Sequence, residues 1–275
     1  MTADSFLPDA ELVYRAGDTI HEQPLHAYPD GMPRVTAPVA IPETVLLRPK
    51  SLASFTTALY WVDALAHRGH AVPSLVLPFI PGARQDRVNP CGDVLFTLKS
   101  VARDLNARRF RTIVVLDPHS DVAAALIDRC EVATALVPFE RAYDGVIAPD
   151  GGAERRAARV AQSMSIPLYH AWKTRSVRTG QLDGFGSEPI PPGHYLVVDD
   201  ICDGGGTFLG LADTLDASHA RADLYVTHGL FTRGTQPLLD RYDRVFCTDS
   251  VIGDRPGVTV LPRCASLLAA MGELQ

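Results

Sequence analysis

The chain has 275 residues, 46% hydrophobic and 21% charged, with a formal net charge of -6. This length suits two ordinary domains and this composition a globular protein. The acidic balance argues against a general nucleic-acid surface, and no apolar run approaches the ~20 residues of a membrane span.

Met1–Leu12 lacks the basic flank and apolar core of a signal peptide. The cysteines, Cys91, Cys130, Cys202, Cys247 and Cys264, are scattered and show no C-x-x-C spacing. A cytoplasmic protein with reduced thiols and no zinc site is the expectation.

Along the chain, short apolar strands alternate with helical stretches, which predicts mainly parallel sheets covered on both faces. In the first half, Val45–Leu47, Ser74–Phe79, Thr112–Leu116 and Val132–Leu136 read as strands. Phe55–Arg68, Leu95–Arg108 and Val122–Asp128 read as helices. The second half repeats the rhythm. Its strands are Val146–Ala148, Pro167–Tyr169, Tyr195–Val198, Leu224–Thr227 and Val245–Cys247. Its helices are Ala153–Ser163, Phe208–Leu215, Pro237–Tyr242 and Ala265–Met271. Gly180–Gly193 reads as a mobile loop. The expected division is a first domain over 1–140 and a second over 141–275.

The chemistry gathers where strands end. Leu196-Val-Val198 leads into Asp199 and Asp200, then Asp203, three glycines (Gly204, Gly205, Gly206) and Thr207, and then an apolar helix. Ligands of open α/β sheets sit at the carboxyl ends of strands. A glycine loop before a helix lets backbone N–H groups close on a phosphate. Adjacent carboxylates can accept bonds from the vicinal hydroxyls of a ribose or hold magnesium. The spacing is neither the dinucleotide fingerprint nor a Walker loop.

Four further strand ends carry polar clusters. The Ser74–Phe79 strand exits through prolines to Arg84, Gln85, Asp86 and Arg87, where arginine forks suit phosphate and glutamine suits an adenine edge or ribose. Asp117-Pro-His119 pairs an acid with an imidazole, which can ligate a metal. Asp150, with Gly151 and Gly152, can bind a sugar hydroxyl or magnesium, or cap the helix that follows. Lys173 and Arg175 precede the glycine-rich loop and suit stabilisation of a phosphoryl-transfer transition state.

In order, these segments resemble the ribose-phosphate diphosphokinases, the phosphoribosyl pyrophosphate synthetases, from about Ala27 to Met271. Ala83-Arg-Gln-Asp-Arg87 is the most specific match. Tyr28-Pro-Asp-Gly31 resembles the family's adenine segment, Asp117-Pro-His119 its metal motif and Pro149-Asp-Gly-Gly152 its Pro-Asp-x-Gly-Gly segment. Lys173-Thr-Arg175 resembles its catalytic Lys-x-Arg, and Asp199–Thr207 its ribose-phosphate loop. Thr227–Phe231 and Thr248–Ser250 resemble two C-terminal segments.

The resemblance implies two tandem phosphoribosyltransferase-type α/β domains, each a mainly parallel sheet flanked by helices. It implies an enzyme that moves a diphosphoryl group from Mg-ATP to the anomeric hydroxyl of ribose 5-phosphate, releasing AMP. Tyr28, Asp30, Arg84 and Gln85 would bind ATP, with Tyr28 stacking on adenine. His119 and Asp150 would bind Mg2+, and Lys173 and Arg175 would be catalytic. Asp199 and Asp200 would hold the ribose hydroxyls, and Asp203, Gly204, Gly205, Gly206 and Thr207 the phosphate. Small molecules would be the partners of a homo-oligomer in nucleotide biosynthesis, with no nucleic acid or membrane.

The chain departs from the family at several points. Asp203-Gly204 replaces the usual Asp-Thr, Asp30-Gly31-Met32 replaces Asp-Gly-Glu, and Asp121-Val-Ala-Ala-Ala125 replaces an aromatic-rich stretch tied to subunit contacts and regulation. The roomier glycine loop suits a substituted phosphate, so ADP-ribose, with a place in NAD metabolism, stands beside ribose 5-phosphate as a candidate acceptor. The same loop would also serve a phosphoribosyltransferase, and an inactive regulatory subunit of the family would keep the same fold. The Ala83–Arg87 segment and the duplicated plan speak against the transferase, and the retained Lys173, Arg175, His119 and Asp199 against the inactive subunit.

Overall fold

A computed structural model describes residues 7, 9–88, 95–135, 141–175 and 182–273; the side chains at 174, 175, 182, 183, 272 and 273 lie outside the description. The chain forms two compact units. One comprises Met1–Ala135, Asp249–Ile252 and Pro262–Gln275, the other Leu136–Thr248 and Gly253–Leu261.

The first unit holds a six-stranded sheet. Strands β1 (Leu12–Ala16) and β2 (Thr19–Glu22) form an antiparallel hairpin turning at Gly17, whose φ is 58°. A separate two-stranded hairpin joins β3 (His26–Ala27) to β4 (Pro33–Arg34). β5 (Thr44–Leu47) lies antiparallel to β1 and parallel to β6 (Ser74–Val76). β7 (Ile113–Leu116) and β8 (Cys130–Ala133) continue the parallel array. Helices α1 (Leu52–His67), α2 (Leu98–Ala107) and α3 (Asp121–Leu126) connect the parallel strands. Ser51 and Ser54 cap α1 reciprocally, which fixes its start.

Alternation along the strands splits the core in two. Leu12, Tyr14, Val45 and Leu47 face α1 residues Phe55, Leu59, Trp61 and Val62. Val13, Leu46, Val76 and Val114 face the other way and pack with Cys264, Ala265, Leu268 and Met271. These belong to the last helix, described below as α7. The sequence pattern assigns residues 262–275 to the second domain. They instead join the first unit, because its sheet has a second apolar face to cover.

The second unit holds a seven-stranded sheet. β9 (Gly145–Ala148), β10 (Leu168–Arg175), β12 (His194–Cys202), β13 (Arg221–Gly229), β14 (Val245–Thr248) and β15 (Thr259–Leu261) pair in parallel. β11 (Leu182–Ser187) returns antiparallel along β10. The helices are α4 (Glu154–Met164), α5 (Gly206–Ala217) and α6 (Gln236–Leu239), while α7 (Cys264–Glu273) lies in the first unit.

Over Leu182–Ser187, β11 corrects the mobile loop expected over Gly180–Gly193, of which residues 180 and 181 lie outside the description. Its glycines permit close packing: a Cβ on Gly186 would stand 2.6 Å from the Trp172 indole nitrogen. On α5, a Cβ at Gly210 would collide with the Phe185 ring. Among the described residues Cys130, Cys202, Cys247 and Cys264 form no disulfide, and no helix is long and apolar enough to cross a membrane. Cys91 lies outside the described residues.

Candidate active site

The parallel pairing of β9 with β10 and β12 sends their carboxyl ends the same way. β9 runs into Pro149 and Asp150. One Asp150 oxygen accepts from the N–H groups of Gly152 (2.9 Å) and Ala153 (3.2 Å), tying the turn that leads into α4. The other accepts from Lys173 Nζ at 2.7 Å. Lys173 stands on β10, where it pairs with Phe185 of β11, so a paired strand rather than a loop carries it. Arg175 ends the same strand; its side chain lies outside the description.

Asp199 and Asp200 lie within β12, which continues to Cys202, rather than after it. They are 8% and 4% exposed. Arg156, on α4, reaches one oxygen of each at 3.5 and 3.6 Å and donates to the Gly152 carbonyl at 3.0 Å. Burial, and then the charges of Asp200 and Asp150, hold the Asp199 carboxyl well above the usual carboxylate range; Arg156 offsets only part of this. Asp199 also accepts from the Asp200 N–H at 2.8 Å, and two adjacent carboxylates offer several acceptor sites, a donor set suited to a diol or a cation-complexed ligand. Sequence reasoning missed Arg156. It had one signal: a cation in the first turn of a helix opposes the helix dipole, so an arginine there calls for a specific acidic partner.

Beyond β12, the Thr232 hydroxyl and N–H bond Asp203 through its side chain (2.7 Å) and carbonyl (3.0 Å). Gly205 then takes a left-handed φ of 78° and opens α5; as a glycine it brings no capping side chain of its own. The N–H groups of Gly206 and Thr207, in the first turn where no helix carbonyl can accept from them, and the positive end of α5 therefore meet at a glycine turn, a geometry suited to phosphate. Gly205, not Gly204, needs glycine's freedom. Its Cβ would also press on Leu238 at 3.3 Å. A Cβ on Gly204 would meet only the flexible Arg233 side chain, with Nε at 3.2 Å.

The first unit holds the remaining predicted residues. Tyr28 and Asp30 occupy the turn between β3 and β4. Tyr28 is 54% exposed, and an Asp30 oxygen accepts from the Met32 N–H at 3.0 Å. Arg84 and Gln85 are exposed beyond β6. Next to them Asp86 is buried and pairs with Arg87 Nε at 2.8 Å. Burial raises the Asp86 carboxyl, but the Arg87 bond and the charges of Arg87 and His119 outweigh it and hold it below its ordinary value. His119 is half-buried beyond β7, after Asp117, which takes a strained φ of 38°. The structure thus gathers Asp150, Lys173, Asp199 and Asp200 at one strand end, adds Arg156, and groups Asp86 with His119 in the other unit.

No family model matches the chain. It is similar to the ribose-phosphate pyrophosphokinase of Methanopyrus kandleri, with 28% identity over 259 residues, 86% of this chain and 87% of the relative. It is also similar to that of Thermococcus kodakarensis, with 28% identity over 215 residues, 74% and 76% of the two chains. The crystal structure of phosphoribosylpyrophosphate synthetase from Mycobacterium smegmatis matches with a TM-score of 0.75 and 26% identity, covering 92% of this chain and 89% of that one.

Proposed function

We propose that this chain, a divergent relative of the ribose-phosphate pyrophosphokinases, transfers the β,γ-diphosphoryl group of Mg-ATP to the anomeric hydroxyl of ribose 5-phosphate. The observation that carries the reading is the run from the Arg156-bound pair Asp199 and Asp200 to the glycine turn that opens α5 at Gly206. The two carboxylates accept from the ribose hydroxyls. Asp203–Thr207 holds the 5-phosphate on backbone N–H groups. With the sugar fixed at both ends, its anomeric oxygen attacks the β-phosphorus, the bond to the α-phosphate oxygen breaks, AMP leaves and the hydroxyl proton is released. Lys173 and Arg175 offset negative charge on the group in flight. Tyr28, Asp30, Arg84 and Gln85 take the nucleotide, Tyr28 by stacking.

Mg2+, entering with ATP and keeping phosphate and water oxygens as most of its ligands, asks the protein for only one or two donors; the Asp150 carboxylate and the His119 imidazole are the residues that would supply them. Bound with ATP, the ion supplies neutralisation of the phosphates. Exchange of His119 for alanine should raise the Mg2+ concentration for half-maximal rate several-fold, measured by titration at fixed ATP. An unchanged titration would leave His119 a structural role beside Asp86.

The decisive experiment is incubation with Mg-ATP and, separately, ribose 5-phosphate, ADP-ribose and nucleobases, with products identified by mass. AMP and phosphoribosyl pyrophosphate support the proposal. A phosphoribosyltransferase would act only on a nucleobase with phosphoribosyl pyrophosphate, and an inactive subunit on nothing.

One observation favours the larger acceptor ADP-ribose, giving ADP-ribose pyrophosphate. Arg233, exposed beyond β13, lies against Gly204, so a second phosphate at the loop would meet a guanidinium where the family's threonine would stand. The φ of Gly204 lies outside the left-handed region, so Gly204→Thr strains no backbone and acts by crowding Arg233. If ADP-ribose is the acceptor, Gly204→Thr and Arg233→Ala should each lower kcat/KM for ADP-ribose about tenfold or more and spare ribose 5-phosphate, on the scale of lost charged contacts. Equal effects on both acceptors would remove this second reading.

A further inference from the structure

The amino ends of the same strands hold a second constellation, which the proposed reaction does not use. His194 opens β12, Asp223 lies in β13, and Asp243 sits two residues before β14. His194 Nε2 is 3.3 Å from Asp223 Oδ1 and 3.2 Å from Asp243 Oδ2. One ligand atom from each residue can be chosen so that all lie within 4.8 Å of one another. Asp223 is fully buried. Its Oδ1 lies 3.9 Å from Arg141 Nη1, a loose ion pair, yet this oxygen and both ring nitrogens of His194 make no hydrogen bond among the described residues. Polar atoms buried without bonds are costly, and here two of them converge on one point.

The opposite oxygens are fully engaged. Asp223 Oδ2 accepts from Arg244 Nη2 (2.7 Å) and Nε (3.0 Å) and from the Tyr143 hydroxyl (2.7 Å). Asp243 Oδ1 accepts from Arg221 Nη2 (2.7 Å) and Nε (3.2 Å). The Tyr143 ring stacks on the imidazole at 5.3 Å. Each carboxylate is therefore clamped by one oxygen and turns the other to Nε2, which is how outer-shell partners orient metal ligands. The spacing agrees. Nitrogen and oxygen donors at ~2.0–2.2 Å around a tetrahedral ion stand roughly 3.3–3.5 Å apart. A protonated His194 that merely bridged the two acids would be expected to make a short, well-aligned bond to one of them, and it makes none.

We propose that His194, Asp223 and Asp243 bind a zinc-class divalent ion, Zn2+ itself being the committed occupant. One imidazole and two carboxylates suit zinc, whereas Mg2+ asks for an octahedron of oxygens. The side chains of His194 and Asp243 are 15% and 23% exposed, which gives the ion a route in and a water a fourth position. The site joins the amino ends of three adjacent strands, away from their carboxyl-terminal chemistry, so it acts as a structural staple.

The test uses the full chain, stripped with a chelator and titrated with Zn2+ by calorimetry in excess Mg2+. Thermal melts and Co2+ absorption spectra accompany it. One equivalent should bind, raise Tm and give the visible bands of tetrahedral Co2+. His194→Ala and Asp243→Asn should each weaken binding by more than the roughly 10–100-fold that losing an outer-shell partner costs. Asp150→Asn, at the other end of the sheet, should bind Zn2+ as the wild type does. Asp243→Asn leaves an oxygen for Arg221 and guards against loss of fold in the histidine variant. Absence of Zn2+ binding, or equal binding by wild type, His194→Ala and Asp243→Asn, would overturn the proposal and leave a closed ion-pair network.

Discussion

Lys173→Ala is expected to lower kcat by about 10²–10³-fold, the usual cost of removing one preorganised charge from a transition state. Tm should barely move. The Lys173–Asp150 pair is partly exposed, at 23% and 28% of the two side chains, and such pairs contribute about 1 kcal/mol or less. The split between rate and stability gives the experiment its force. Lys173 is carried on β10 where it pairs with Phe185 of β11, and Asp150 holds its ammonium at 2.7 Å, so the cation is placed before substrate arrives. Asp150→Asn removes the charge that anchors it, and should cost less than Lys173→Ala because the cation remains. Arg175→Ala should resemble Lys173→Ala. Steady-state kinetics beside a thermal melt decide the matter: near wild-type kcat in Lys173→Ala with a small fall in Tm would reduce Lys173 to a tether for Asp150.

Arg156→Ala should be the most destabilising single change at this site, by about 3 kcal/mol at neutral pH, because it removes a cation shared by two buried carboxylates. The effect carries a pH signature. Asp199 holds its proton more tightly in the folded state than in the unfolded chain. Its contribution to stability is therefore fully present below the ordinary carboxylate value and is lost as pH rises through the elevated folded value. Removing Arg156 takes away the one cation opposing that elevation. Wild type and variant should then differ least near about pH 5 and most near about pH 8, read from urea unfolding at each pH. A deficit that does not grow with pH would show that Arg156 acts by packing alone.

The parallel α/β plan was open to reading because buried strands such as Leu196-Val-Val198 and Ile113–Leu116 are continuous apolar runs set between amphipathic helices. The β1–β2 hairpin escaped because β2, Thr-Ile-His-Glu, is half-polar and lies at a sheet edge. β11 escaped because Gly184 and Gly186 read as flexibility, while Gly186 makes room for the Trp172 ring. At the site, Asp199, Asp200 and the glycine loop announced themselves by sitting next to one another in sequence. Arg156 did not, since its partners are 43 and 44 positions away and only the packing of α4 beside β12 brings them together. For the same reason nothing in the sequence linked His194 with Asp223 and Asp243.

The membership of α7 in the first unit bears on how the chain matures. A ribosome delivers Val13, Leu46, Val76 and Val114 early, but their covering residues Cys264, Ala265, Leu268 and Met271 come some 150 positions after the last of them. Throughout that interval the nascent sheet presents one bare apolar face, while nearly all of the second unit is being made. The half synthesised first is thus the half completed last, and until then it is a substrate for chaperones and proteases.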